Sequence, residues 1–181
     1  MSIYISLLKG INVGGKNKIK MTELKQLFEG MGLSSVKTYI NSGNVLFESS
    51  EDEGALVRGI EQGIESELGL SIKVVLRTYK ELVESIASSP YKNDVAENGK
   101  NVNIGFMNES PSQEGVDRVS PYKDIDEFEI IGRDVHLLFH QSVADSKLAK
   151  NLQKLSGTVT IRNWNTINKL ASMAKELANQ S

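Results

Sequence analysis

The sequence predicts an α+β fold built from two ferredoxin-like (βαββαβ) units in tandem, with antiparallel sheets and an added C-terminal helix. Three observations carry that expectation. Alternating apolar residues mark short strands, and apolar stripes at i, i+3, i+4, i+7 mark helices, in the order β-α-β-β-α-β over the first half. The same order returns over the second half. The two strand-to-helix corners also match: VVLRTYKEL at 74–82 and VTIRNWNTI at 159–167 each run strand, arginine, capping residue, aromatic. Descent from one duplicated unit and convergence on a common corner both account for that match.

The first strand spans Ile3 to Leu8, with Ile3, Ile5 and Leu7 on one side and Tyr4, Ser6 and Leu8 on the other. A glycine- and lysine-rich connection, GINVGGKNKIKM, leads into a helix from about Thr22 to Gly32, striped by Leu24, Leu27, Phe28 and Met31. In KTYINSGNVLFE a two-residue Ser42-Gly43 turn predicts a hairpin. Its register pairs Ile40 with Val45 and Thr38 with Phe47 on one face, and Tyr39 with Leu46 and Lys37 with Glu48 on the other. Ser50 and Glu53 form a capping box for a helix carrying Leu56, Ile60, Ile64 and Leu68. The strand SIKVVLR then points Ile72, Val74 and Leu76 inward, and a Thr78/Glu81 capping box opens a further helix to about Ser88.

Residues Ser89–Lys100 are polar, carry Pro90, Asn98 and Gly99, and read as a linker between a first unit at 1–88 and a second at 101–181. In the second unit Val102, Ile104 and Phe106 alternate in a strand, and Ser110 to Tyr122 is helical or irregular. A hairpin from Glu127 to His140 turns at Gly132-Arg133, a Gly-first loop suited to a type II′ turn. It pairs Ile130 with Val135 and Phe128 with Leu137 inside, and Glu129 with His136 outside. ADSKLAKNLQKL gives a helix and TVTI a strand. Asn163 caps a closing helix that bears Ile167, Leu170, Ala171, Ala174 and Leu177.

Composition narrows the function classes. Hydrophobic residues at 39% and charged residues at 24% of 181 describe a globular chain, not a disordered one. A net charge of -2 offers no global attraction to nucleic acid or anionic lipid, so any such binding needs a local patch. The absence of cysteine excludes a disulfide framework, a thiolate zinc site and a cysteine nucleophile. The apolar start MSIYISLLKG has no charged region before it and no small-residue cleavage site, so it reads as a strand rather than a signal peptide. No apolar stretch nears the roughly 20 residues that span a bilayer. The expectation is a cytoplasmic protein with no membrane partner and no cofactor.

The connection after the first strand is the most informative segment. Gly10, Gly15 and Lys16 satisfy G-x-x-x-x-G-K, the start of a phosphate-cradling Walker loop. Asn17 stands where a magnesium-binding Ser or Thr is required, however, and the helix opens several residues later. The nucleoside triphosphatase reading is therefore rejected. Between Lys9 and Lys25 there are five lysines and one acid, Glu23. Gly10, Gly14 and Gly15 permit positive φ and close approach of the backbone to an anion. The alternative is a solvated surface turn. In a ferredoxin-like sheet this loop shares an edge with the first hairpin. That brings Lys9, Gly10, Asn12, Gly14, Gly15, Lys16, Lys18 and Lys20 beside Asn41, Ser42 and Asn44 as candidate ligand-binding residues. Asn41 and Asn44 could equally be satisfying the turn.

Other constellations are weaker. Tyr4 and Tyr39 are expected on the sheet face away from the helices, but the third strand turns Phe47 to the core and leaves Leu46 outside, so the base-stacking pattern of RNA-binding sheets fails. That half-apolar face (Tyr4, Leu8, Tyr39, Leu46, Val75) is expected to pack on the second unit or on another subunit, as in a homodimer. Asp134, His136 and His140 share one strand face, which alternation alone explains, so no metal site is assigned. No G-x-S-x-G elbow and no defensible carboxylate pair is visible, and no catalytic residue is assigned. Trp164 sits in the first turn of the last helix, either as a stacking platform or as a packing staple. Tyr39, Arg162, Asn163 and Trp164 form a secondary candidate set.

The stretch YISLLKGINVGGKNKIKMTELKQLFEGMGLSSVKTYINSGNVLFES resembles the signature region of the bacterial family known as domain of unknown function 1697, and RNWNTINKL is similar to that family's C-terminal signature. The resemblance implies an α+β fold with ferredoxin-like units, and no reaction, substrate or cofactor. Gly10, Asn12, Gly14, Gly15, Lys20, Tyr39, Asn41, Ser42, Gly43, Asn44, Arg162, Asn163 and Trp164 carry it as signature positions only. The functional expectation is binding of a phosphate-bearing small molecule or a nucleic-acid backbone at the Gly/Lys loop. The alternatives are a metal-independent enzyme on the same edge, with Lys20 or Tyr39 as acid or base, and a dimerisation module.

Overall fold

In the computed structural model of the chain, which describes residues 1–180, two four-stranded antiparallel sheets carry the helices. The first sheet and its helices comprise β1 (Ser2–Leu8), α1 (Met21–Gly30), β2 (Ser34–Tyr39), β3 (Asn44–Ser49), α2 (Glu53–Leu68), β4 (Val74–Thr78) and α3 (Tyr79–Ala87). The second comprises β5 (Val102–Phe106), α4 (Gln113–Val119), β6 (Glu127–Ile131), β7 (Asp134–Leu138), α5 (Lys147–Asn151) and β8 (Thr160–Asn163), and the chain closes with α6 (Trp164–Gln180). The strand orders are β2-β3-β1-β4 and β6-β7-β5-β8, the same ferredoxin-like arrangement twice. The chain divides into two compact units, residues 1–83 with the segment from Lys169 onward, and residues 84–168; the polar stretch 89–100 falls within the second. No described helix is long and apolar enough to cross a membrane.

In the first unit α1 and α2 cover one face of the sheet. Leu24 and Phe28 of α1, and Leu56, Ile60 and Ile64 of α2, join Val45, Phe47, Ile72, Val74 and Leu76 in one core. Each such buried Leu, Ile or Phe contributes about 1.5–3 kcal/mol of transfer free energy. Asp52, not Ser50, caps α2, accepting the Ala55 N–H at 2.8 Å. The Thr78/Glu81 box forms reciprocally at α3: Thr78 N–H donates to Glu81 Oε1 at 3.0 Å and Glu81 N–H to Thr78 Oγ1 at 3.2 Å.

Two expectations about this sheet are corrected. Tyr4 and Leu8 face the helices, and Tyr4 stacks on Phe47 at 5.6 Å between centroids. In β1 both alternating sets are apolar, so periodicity alone does not orient it; pairing does, because Tyr4 lies opposite Phe47. On the other face Leu46 and Val75, with Ile5 and Leu7, are 0% exposed in the single chain, so this face is closed to solvent without a second subunit. The hairpin register is also displaced by two residues. Thr38 pairs with Val45, Tyr39 with Asn44 and Lys37 with Leu46, so the loop is Ile40–Gly43 rather than Ser42-Gly43. A shift of two keeps every side chain on its expected face. The Lys37–Glu48 pair does not form; beyond an irregularity, Ser34 lies opposite Glu48, whose carboxylate takes the Ser35 hydroxyl at 3.0 Å.

The second unit packs Val119, Phe128, Val135, Leu137, Leu148, Leu152 and Val159 in its own core. Its hairpin has the expected register, Ile130 with Val135, Phe128 with Leu137 and Glu129 with His136, and Gly132 takes φ +61°. The outside pair is not solvated, however. His136 is 0% exposed, and neither ring nitrogen has a hydrogen-bond partner among the described residues. Ile104, opposite it on β5, and Leu138, on the same face, are buried too, so the polar reading of that face fails. His140, by contrast, is exposed and pairs with Glu127 Oε2 at 3.0 Å.

Candidate functional site

β1 delivers the chain to the sheet edge where the β2–β3 loop also lies: Leu7 pairs with Asn44, and the Leu8 N–H donates to the Gly43 carbonyl at 2.9 Å. Gly43 is required there. It has φ +86°, and a Cβ would stand 2.8 Å from Leu8 Cβ and from Ile11 Cδ1. The connection 9–20 then folds on itself. Val13 and Lys16 form an isolated bridge, closed by the Lys16 N–H on the Val13 carbonyl at 3.0 Å. The two central residues, Gly14 and Gly15, have φ +59° and +75°, the signs of a type I′ turn. Lys16 is thus the end of a small turn and not the lysine of a phosphate-wrapping loop.

Asn12 holds this loop in place. Its Oδ1 accepts the Ile19 N–H at 2.9 Å, and its Nδ2 donates to the carbonyls of Ile19 at 3.0 Å and Asn41 at 2.8 Å. The last bond fastens the loop to the hairpin tip. Asn17 reinforces it by donating to the Gly10 carbonyl at 3.1 Å. Asn12 and Asn17 both have positive φ, +56° and +51°, which Asn tolerates better than most side chains. The Asn12 amide is therefore structural. So is Asn44, which is buried and donates to Ser42 Oγ at 2.8 Å and the Tyr39 carbonyl at 3.0 Å, closing the four-residue loop.

Between the tied loop, the hairpin tip and the start of α1 lies an open cavity of about 640 Å³. Lys18, Lys20, Glu23 and Asn41 face it, with Asn12, Gly15 and Ile19 completing the wall. Lys20 is the N-cap of α1, and its side chain makes no capping hydrogen bond. The first-turn N–H groups of a helix have no intrahelical acceptor and carry partial positive charge. Two lysines and the start of α1 thus line one open space together with the exposed Asn41.

Five of the candidate residues, Asn12, Gly15, Lys18, Lys20 and Asn41, are brought together here, while Lys9, Gly10, Gly14, Lys16, Ser42 and Asn44 lie outside the wall. Lys9 is half-buried at the end of β1, and burial lowers its ammonium below the ordinary lysine range. Sequence reasoning missed Glu23 and Ile19. With Lys20 as N-cap, Glu23 occupies the third helical position, where acids are favoured. Tyr39 ends β2 opposite Asn44. Asn163 caps α6 through the Thr166 N–H at 3.0 Å, and Trp164 is half-buried in the first turn. Arg162 is buried, donates to the Ile161 carbonyl at 3.0 Å and is pushed down to about 10 by burial. Arg77 repeats that arrangement at the first corner, donating to the Leu76 carbonyl at 2.9 Å. No cluster of three metal-ligating acids or histidines occurs among the described residues.

Comparison with known proteins agrees with this architecture. The family model described as "Protein of unknown function (DUF1697)" matches residues 1–136. Among curated proteins none matches the chain. Among solved structures, the conserved bacterial protein SP0830 from Streptococcus pneumoniae superposes with a TM-score of 0.72 at 25% identity, over 97% of this chain and 99% of the other.

Proposed function

The chain belongs to the DUF1697 family of proteins of unknown function, and we propose that it binds an anionic, phosphate-bearing ligand in the cavity at the N-terminus of α1. One observation carries the reading: Lys18 and Lys20 line that cavity at the start of α1, whose N-cap side chain makes no capping hydrogen bond. Helix N-termini bind phosphate through backbone N–H groups and the aligned peptide dipoles, and neighbouring ammoniums add charge-assisted hydrogen bonds. The glycine turn and the Asn12 bonds to Ile19 and Asn41 hold the wall in place. The lining residues include one carboxylate, Glu23, and no histidine, hydroxyl nucleophile or second acid. A binding role therefore fits the cavity better than catalysis.

The test is isothermal titration with a phosphorylated ligand at low and high salt. Saturable binding that weakens as ionic strength rises, and that falls about tenfold or more in Lys18→Glu/Lys20→Glu, is the expected result. Binding indifferent to both salt and the double substitution would place any ligand elsewhere.

A further inference from the structure

The polar stretch before β5 is pinned by asparagine side chains. Asn101 donates from Nδ2 to the Asp94 carbonyl at 2.8 Å and accepts the Ala96 N–H on Oδ1 at 2.8 Å. Asn103 donates to the Lys100 carbonyl at 2.9 Å. Within this net Asn98 is followed by Gly99, whereas every other asparagine of the sequence precedes a residue with a side chain. We infer that Asn98 is a latent site of spontaneous deamidation, and that Asn165 at the start of α6 holds the reaction in check.

In that reaction the Gly99 main-chain nitrogen attacks the Asn98 Cγ. A C–N bond forms, the bond to the side-chain amide nitrogen breaks, and ammonia leaves with the proton that the Gly99 nitrogen gives up. Water then opens the cyclic imide. Addition at Cγ yields aspartate, and addition at the main-chain carbonyl yields isoaspartate. Glycine favours the attack because it has no Cβ to shield the nitrogen and its backbone swings most freely toward Cγ. Asn98 is exposed, so the water needed for the second step reaches it.

Three hydrogen bonds oppose the attack. The Gly99 N–H donates to the Ala96 carbonyl at 2.8 Å, which engages the attacking nitrogen. The Lys100 N–H donates to Asn98 Oδ1 at 3.0 Å, which fixes the side chain under attack. Asn165 Nδ2 donates to the Asn98 carbonyl at 2.7 Å, which fixes the peptide group between them. Gly99 is buried, and a Cβ built on it would stand 2.2 Å from Asn165 Oδ1, so Asn165 lies against it. The first two bonds are local, whereas Asn165 lies 67 residues from Asn98 and latches the turn only in the folded chain. One bond of ordinary net strength favours the closed arrangement by about two- to tenfold. Isoaspartate would make release permanent, because it adds an atom to the main chain and turns the latched carbonyl into a free carboxylate.

The experiment ages the full chain in mildly alkaline buffer, folded and in guanidinium chloride, beside the folded variants Asn165→Asp and Asn165→Ala. Peptide mass mapping follows each asparagine. Asn165 is exposed, so both variants keep the fold; Asp retains the side-chain shape without the donor, and Ala excludes an effect of the new charge. In denaturant Asn98 is expected to convert before every other asparagine, with isoaspartate among its products. The folded chain is expected to convert there at least about tenfold more slowly, and both variants to regain about two- to tenfold. If another asparagine converts first in denaturant, Asn98 is not the site. If Asn98 ages as fast folded as unfolded, or if both Asn165 variants age at the wild-type rate, the latch is wrong.

Discussion

Replacing Asn12 by Ala removes three hydrogen bonds at once, two to Ile19 and one to Asn41. A net contribution of about 0.5–1.5 kcal/mol per bond bounds the loss at roughly 1.5–4.5 kcal/mol. The site is only half-buried, so water re-solvates part of what is exposed, which favours the lower half of that range. Against this, Asn12 holds φ +56°, a conformation costing an ordinary L-residue about 1–2 kcal/mol. The two effects together give a destabilisation of about 3 kcal/mol. Urea denaturation of the wild type, Asn12→Ala and Asn12→Gly measures it. Asn12→Gly keeps the positive φ and isolates the hydrogen-bond share, so it should recover about 1 kcal/mol relative to Ala. The substitution should also release the glycine loop from the hairpin tip and weaken phosphate binding. A change below about 0.5 kcal/mol in Asn12→Ala, the size of an ordinary surface substitution, would refute the assignment of Asn12 as the fastening residue.

Gly43→Ala should destabilise the first unit by about 2–4 kcal/mol, because the new methyl at φ +86° meets Leu8 and Ile11 at 2.8 Å; thermal denaturation reads this directly. His136 is buried with no hydrogen-bond partner among the described residues, and burial lowers its pKa below 6.5 despite the opposing pull of Asp134 and Glu129. The unfolded chain therefore takes up the proton first: stability is full above about pH 6.5 and declines as pH falls from there toward the lowered folded value. Denaturation curves at pH 7.5 and pH 5.5 should differ in that sense, and the difference should shrink in His136→Phe. Lys16→Glu should weaken phosphate binding less than Lys18→Glu, since Lys16 lies outside the cavity wall that Lys18 helps to form; titration of the two variants at one salt concentration compares them.

Much of the fold was legible because local chemistry and tertiary pairing agree. The Gly132-Arg133 loop admits one hairpin register and the structure adopts it. The Thr78/Glu81 box and the Asn163 cap form as the spacing implies. The first hairpin slipped by two residues for a reason the sequence hides. Asn44 closes a four-residue loop through its side-chain amide, and Ile40, β-branched and 49% exposed, adopts φ +48°. Isoleucine rarely takes that conformation, so no turn rule flags it. β1 was misoriented because both of its faces are apolar, and His136 was misread because a polar residue in an alternating strand looks solvated. At the site, Lys18 and Lys20 stand out as cations in a glycine-rich loop, whereas Glu23 does not. Its place in the wall follows from where α1 begins, and element ends are what periodicity defines least well.

The most direct test of the account is the backbone amide spectrum of the ¹⁵N-labelled chain during titration with inorganic phosphate. Saturable shifts concentrated at Lys18, Lys20, Met21, Thr22, Glu23 and Asn41, and lost in Lys18→Glu/Lys20→Glu, are the predicted result. Shifts confined to residues away from the start of α1, or an unchanged titration in the double variant, would contradict it.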